Sequence, residues 1–129
     1  MAHPNEDLVR RGYEAFQAGD LDTLREQFDP NVVWHVVGRG PLAGEYRGID
    51  EVFGFFGKIV ELTGGTFKLD VHDILANDQH VVALVRARGE RAGKTLEDPQ
   101  AHVLHVNDGK VTEFWGHAWD LYAADEFLA

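Results

Sequence analysis

The sequence predicts an α+β domain in which one curved, largely antiparallel sheet carries helices on one face. Two observations predict it. Up to Leu62, apolar side chains recur at helical spacing, as in Leu8, Val9, Tyr13 and Phe16 and again in Val52, Phe53, Phe56 and Ile59. From Thr66 onward the period falls to two: Phe67, Leu69 and Val71 alternate with Lys68, Asp70 and His72, and short turns separate one long run from the next. The predicted order is ααβαββββ plus a short C-terminal helix, in a single domain spanning residues 1–129.

The first helix opens around Pro4 and Asn5, with Asn5 as its cap and Glu6 and Asp7 suited to the positive end of its dipole, and stops at Gly19. Asp20 caps a shorter helix that ends at Asp29-Pro30, because the residue before a proline is pushed out of the helical region. Val32 to Val37 is β-branched and aromatic and reads as a strand. A glycine-rich loop follows and runs to Gly48. The third helix buries Ile49, Val52, Phe53, Phe56, Ile59 and Val60 and is stopped by Gly64-Gly65. Strands then continue to a turn at Asn77-Asp78, over Val81 to Glu90, over Lys94 to Val106 with an interruption near Asp98-Pro99, and over Val111 to Trp119. Asn107-Asp108-Gly109 is the clearest hairpin signal, and a three-residue bulged loop there pairs Val106 with Lys110 and sets His102 opposite Phe114. Asp120 caps the last helix, which ends in Phe127 and Leu128.

Composition narrows the function. With 44% hydrophobic residues in 129, the chain can bury a real core. Its net charge of -10 opposes phosphate backbones and anionic membranes, so neither nucleic acid nor membrane is an expected partner. No cysteine is present, which removes disulfides, thiolate nucleophiles and cysteine-bound zinc. The start, MAHPNEDL, lacks a basic region followed by an apolar run, and the expectation is a cytoplasmic protein. Neither a phosphate-cradling glycine motif nor a metal motif occurs, so no cofactor is expected.

Several stretches resemble one family. The helix ending AGDLD, the strand entry Phe28-Asp29-Pro30-Asn31-Val32, the helix start YRGIDEVFGFF and the hairpin NDGKVTEFW are similar to the nuclear transport factor 2-like superfamily, and within it to SnoaL-like proteins. The resemblance covers essentially the whole chain. It implies a cone-shaped sheet with helices on its concave face, a deep apolar pocket between them, and dimerisation through the outer sheet face. It leaves the activity open, since this scaffold hosts isomerases, cyclases, epoxide hydrolases, dehydratases and binding proteins. The expected function is cofactor-independent acid/base chemistry on a hydrophobic metabolite (cyclase, isomerase, dehydratase or hydrolase). The alternatives are a non-catalytic binder of apolar ligands and a dimeric interaction domain.

His102 is the leading catalytic candidate. It shares a strand face with Leu104 and Val106 and faces Phe114, Gly116 and Ala118, a wall of apolar or small residues in which an imidazole would be neutral. A core histidine bonded to backbone explains the same pattern equally well. The resemblance puts His102 where related cyclases carry a pocket histidine, but it also puts Gly12, Val36 and Gly116 where relatives carry a tyrosine, a catalytic base and a carboxylate. Tyr13 and Asp120 remain as helpers, against plainer roles as an interior aromatic and a helix cap. Asp98 has the parity to orient His102 or to face solvent. The expected pocket wall comprises Trp34, His35, Phe16, Phe53 and Phe56, together with Val71, Val85, Leu104, Phe114 and Gly116, although alternation turns His35 outward when Trp34 points in. The glycine-rich loop, with Gly38, Gly40, Pro41, Gly44 and Tyr46, would be a mobile lid. Trp115, His117 and Trp119 lie on the opposite face and suggest a homodimer interface. A one-residue slip would exchange the faces and make His117 the candidate. His105 and His117 share a face but lack a third ligand, so no metal site is assigned.

Overall fold

The computed structural model describes residues 3–129. Four helices and six strands follow one another as α1 (Pro4–Ala18), α2 (Leu21–Gln27), β1 (Phe28–Val36), β2 (Gly44–Arg47), α3 (Ile49–Leu62), β3 (Lys68–Ala76), β4 (His80–Arg91), β5 (Lys94–Asn107), β6 (Lys110–Ala118) and α4 (Leu121–Leu128). The strands form one sheet in the order β2-β1-β6-β5-β4-β3, antiparallel throughout except where β1 runs parallel to β6. The helices cover one face, with α1 over β3, α3 over β1 and β2, and α4 over β5. This is the predicted α+β architecture with one strand more than expected.

The extra strand is β2. It lies inside the glycine-rich segment and pairs with β1 through Val33–Arg47 and Trp34–Tyr46. Four residues without an apolar alternation give little strand signal, so the sequence reads there only as loop. The cap of α1 also differs from expectation. His3 rather than Asn5 caps it: its Nδ1 accepts from the Asn5 N–H at 3.0 Å, and Pro4 takes the first turn, where its missing N–H costs nothing. Asn5 instead straps α1 to the β3–β4 turn by donating to the carbonyls of Asn77 and Asp78 at 3.0 and 3.1 Å.

Strand β5 is continuous through Asp98-Pro99, where an interruption was expected. The Pro99 carbonyl accepts from the Trp119 N–H at 3.0 Å. In an antiparallel strand a residue's nitrogen points the same way as its carbonyl, so the proline ring meets the fraying end of β6 and no bond to β4 is lost.

The β5–β6 hairpin contains two departures that cancel. Its loop has two residues, not three: Asn107 pairs with Lys110, and Asp108 and Gly109 take φ of 51° and 73°, as a type I′ turn requires. That change alone would turn every β6 side chain over. A bulge restores the faces, because His105 pairs with Glu113 while Val106 pairs with Val111, leaving Thr112 unpaired. His102 therefore sits opposite Gly116 and Leu104 opposite Phe114, two residues from the expected partners yet on the expected side. A second bulge in β3 leaves His72 unpaired between Val71 and Asp73 and adds to the curl of the sheet.

Aromatic rings dominate the core on the inner side. Trp34 stacks on Phe114 with centroids 3.8 Å apart and planes 7° from parallel, and Phe56 meets Trp34 edge-on at 5.2 Å. Phe28 and Phe53 pack beside them. Burying such rings stabilises the fold by roughly 2–3 kcal/mol each. Val60, expected inside, is 44% exposed at the far end of α3.

Candidate functional site

Between the inner face of the sheet and the helices lies a cavity of about 190 Å³. Its walls include Phe16, Phe28, Trp34, Phe56, Leu104 and Phe114, while Leu121, Ala124 and Phe127 of α4 close part of it. Polar side chains are few, and four of them are Tyr13, Gln27, Gln100 and His102. An apolar cavity of about 150 Å³ holds one benzene ring, so this one suits a ligand of one or two rings.

His102 is 5% exposed and is placed by the alternation of β5. Room for its ring exists because its partner is glycine: a Cβ on Gly116 would lie 3.8 Å from His102 Cδ2 and 3.3 Å from Phe114 Cε1. A side chain at this position, where the family resemblance would have a carboxylate, would press on the edge of Phe114, whose ring would have to give by a few tenths of an ångström. The phenol of Tyr13, presented by α1, stands 2.7 Å from His102 Nδ1, and Gln100 Oε1 stands 2.9 Å from Nε2. Burial, with a smaller contribution from the positive charge His117 can carry, drives the His102 pKa down to about 3. Burial also pushes the Tyr13 phenol well above its usual value. Both groups are neutral near pH 7.

The direction of the hydrogen bonds follows from Asp98, which is 3% exposed. One carboxylate oxygen accepts from the Asp120 backbone N–H at 3.1 Å and the other from the Gln100 amide nitrogen at 3.3 Å. With its NH₂ on Asp98, Gln100 can offer His102 only its oxygen. His102 Nε2 must then donate, which leaves Nδ1 as the acceptor of the Tyr13 O–H. Tyr13 consequently turns oxygen lone pairs, not its proton, toward the cavity.

The predicted residues divide clearly. Tyr13, Phe16, Trp34, Phe56, His102, Leu104, Phe114 and Gly116 all line the cavity. Phe53 does not; its ring packs against Phe28 and under Arg25, 5.1 Å from the guanidinium carbon. Val85 is buried in the core, and Val71 borders a separate shallow groove with Arg10 and Gln17. His35 reaches the cavity only through its place on β1. Its ring is on the outer face, 2.7 Å from Glu113 and 3.3 Å from Glu45, and stacked on Trp115 at 4.9 Å, because Trp34 takes the inward position. Asp120 does not join the dyad: its carboxylate is exposed and caps α4 by accepting from the Ala123 N–H at 3.0 Å. The glycine-rich segment is not free along its length. Asp125 of α4 accepts from the N–H groups of Arg39 and Gly40 at 3.0 and 3.2 Å, and β2 holds its far end. Among the described residues no cluster of three metal-ligating side chains occurs, and no helix is long and apolar enough to cross a membrane.

Sequence reasoning missed Gln100, Gln27 and Asp125. Gln100 had a readable signal, since it is two residues from His102 on the same strand face. Gln27 and Asp125 had none, because nothing local marks which helical polar residue points inward.

A family model described as the SnoaL-like domain matches residues 9–114. The uncharacterized protein Rv0034 of Mycobacterium tuberculosis is 38% identical over 124 residues, 95% of each chain. Among solved structures, Bal32a from a soil-derived mobile gene cassette superposes with a TM-score of 0.95 at 41% identity, covering 98% of this chain and 97% of that one. IdmH of Streptomyces antibioticus, a proposed polyketide cyclase, superposes at 0.75 with 25% identity over 92% of this chain and 93% of its own.

Proposed function

The chain belongs to the SnoaL-like domain family of the nuclear transport factor 2-like superfamily, and on that premise we propose that it is a cofactor-independent acid/base enzyme acting on a small hydrophobic metabolite. The observation that supports this is the 2.7 Å contact between Tyr13 Oη and a neutral His102 Nδ1 at the polar end of an apolar cavity. The similarity to IdmH makes a cyclase or isomerase the nearest model among the reaction types the scaffold serves.

In the proposed step an acidic C–H or O–H of the ligand breaks, and its proton passes to Tyr13 Oη while the Tyr13 proton passes to His102 Nδ1. The electron pair stays on the ligand as an enolate or alkoxide. Reversal at another ligand atom completes an isomerisation. In a ring closure the enolate carbon bonds to a second carbonyl carbon and the C=O π pair moves to that oxygen; the resulting alkoxide takes the proton back through Tyr13 as His102 Nδ1 returns to its neutral form. Holding the imidazolium depends on the adjacent ligand anion, because burial disfavours an isolated positive charge there. Positioned groups of this kind contribute roughly 10²–10⁴-fold.

Exchange of the α-hydrogens of 2-tetralone in D₂O, followed by NMR, tests the proposal. Wild-type protein should speed exchange above buffer, and Tyr13→Phe and His102→Ala should abolish it with the ketone still bound. No acceleration by the wild type would end the enzymatic reading. A second reading, a non-catalytic carrier of the same ligands, is favoured by the low basicity of His102, and binding without exchange would support it. We further propose that two copies of the chain meet on the outer sheet face. Leu75, Val82, Val103 and Trp115 form a row of part-exposed apolar residues across four paired strands there, with Trp119 83% exposed beside it.

A further inference from the structure

We propose that Asp98 is the positioning residue of the Tyr13–His102 pair: its negative charge, acting through Gln100, sets the direction in which the pair passes a proton, and removing that charge in place reverses the direction. The inference rests on the acid/base reading above and adds the residue that makes the pair a base rather than an acid.

Asp98, Gln100 and His102 occupy alternate positions of β5 and so share its inner face. The flanking strands offer them no polar side chain. Ala87, Val85 and Ala83 stand opposite them on β4, and Ala118 and Gly116 stand opposite Gln100 and His102 on β6. The three side chains therefore bond along a single thread, from the Asp120 N–H through Asp98, Gln100 and His102 to the Tyr13 phenol. Gln100 and His102 border the cavity, whereas Asp98 does not. It cannot touch a ligand and acts only through its neighbours.

A structural anchor needs no charge at this place. An asparagine has the same shape, and its oxygen could take the Asp120 N–H equally well, while burying a carboxylate costs more than burying an amide. Among the described residues no lysine, arginine or histidine forms an ion pair with Asp98 to offset that cost. What the carboxylate supplies and an amide does not is a second acceptor. Both oxygens accept, so the Gln100 NH₂ faces Asp98, the Gln100 oxygen faces His102, and the imidazole keeps its proton on Nε2. Nδ1 is left bare to take the Tyr13 proton.

In Asp98→Asn the Asp120 N–H holds the new amide oxygen, and the new NH₂ turns to Gln100. Only one arrangement then satisfies every member of the thread. The Gln100 amide flips, its NH₂ donates to His102 Nε2, and Nδ1–H donates to the Tyr13 oxygen. The phenol proton is turned into the cavity, and the pair can no longer accept one from a ligand.

Nuclear magnetic resonance of the full chain carrying isotope-labelled histidine reads the tautomer directly through proton–nitrogen correlations. The measurement is made near pH 7, where the His102 ring is neutral, and His102→Gln identifies its signal. The wild type should carry the proton on Nε2, and Asp98→Asn should carry it on Nδ1. The same variant should lose the acceleration of 2-tetralone hydrogen exchange with the ketone still bound. Gln100→Leu, which leaves Asp98 on the Asp120 N–H, should no longer show a pure Nε2–H form, and adding Asp98→Asn to it should change nothing further. Asp125→Ala frees another part of α4 from the N–H groups of Arg39 and Gly40, and as the structural control it should keep the wild-type tautomer. A wild-type proton on Nδ1, an unmoved tautomer in Asp98→Asn or in Gln100→Leu, or the same inversion in Asp125→Ala overturns the assignment. Tautomer inversion in a protein whose wild type does not accelerate exchange refutes the enzymatic reading alone, whereas wild-type exchange with an unmoved tautomer refutes this inference alone.

Discussion

Acidification should destabilise this protein through His102, and the size of the effect follows from its burial. The imidazole has a pKa near 6.5 in the unfolded chain and about 3 in the fold. Between those values the unfolded state binds the extra proton, so stability falls as pH falls. The contribution is essentially complete above pH 6.5 and is lost progressively down to pH 3. From pH 7 to pH 5 the loss is about 2 kcal/mol, at 1.36 kcal/mol for each pH unit below 6.5. Urea unfolding at the two pH values measures it. With a slope of about 2 kcal/mol/M, ordinary for a domain of this size, the midpoint should drop by about 1 M. His102→Gln replaces the ring with a polar group that does not titrate in this range. The other six histidines remain, so the difference between wild type and variant isolates His102. The variant will be less stable at both pH values, but it should lack this part of the fall. Equal falls in the two proteins would mean that the ring titrates normally, and the buried neutral dyad would be wrong.

Other perturbations have equally definite outcomes. Tyr13→Phe removes the donor to His102 Nδ1 and should cost about 1–2 kcal/mol, read as a melting temperature lower by about 5 °C in calorimetry. Gly116→Val adds side-chain bulk against Phe114 and His102, and should weaken 2-tetralone binding more than tenfold while leaving the far-ultraviolet circular dichroism unchanged. Trp115→Ala removes the largest side chain of the outer apolar row. Sedimentation velocity should then report a dimer for the wild type and a monomer for the variant, with binding to the cavity retained in both.

The sequence disclosed the two groups of the dyad but not that they touch. Alternation along β5 turned His102 inward, and helical spacing turned Tyr13 inward, each as one of two readings. Their meeting depends on how α1 lies across the sheet, which no local pattern encodes. His102 kept its predicted face through a coincidence of physics. The loop was one residue shorter than expected, and the unpaired Thr112 shifted the register by one more, so side chains returned to the same side. Where side-chain parity alone was used, as for Trp34 against His35, it gave the correct face. Where a wall was inferred from apolarity, as for Phe53, Val71 and Val85, it did not distinguish residues bordering a void from residues packed solid. Asp120 illustrates a different limit: a carboxylate at a strand end fits both a cap and an acid, and only the accepted Ala123 N–H decides.

One consequence of Asp98 concerns anyone who would redesign this protein for larger guests. Trimming residues 121–128 is the obvious way to widen the entrance, yet the same carboxylate anchors the first peptide of that tail and, through Gln100, fixes which imidazole nitrogen is bare. Loosening the root of the tail at Asp120 would free one oxygen of Asp98 and with it the carboxylate's fixed hold on Gln100. Guest size and proton handling are wired to a single side chain, and the two can be tuned apart only by giving Gln100 another acceptor first.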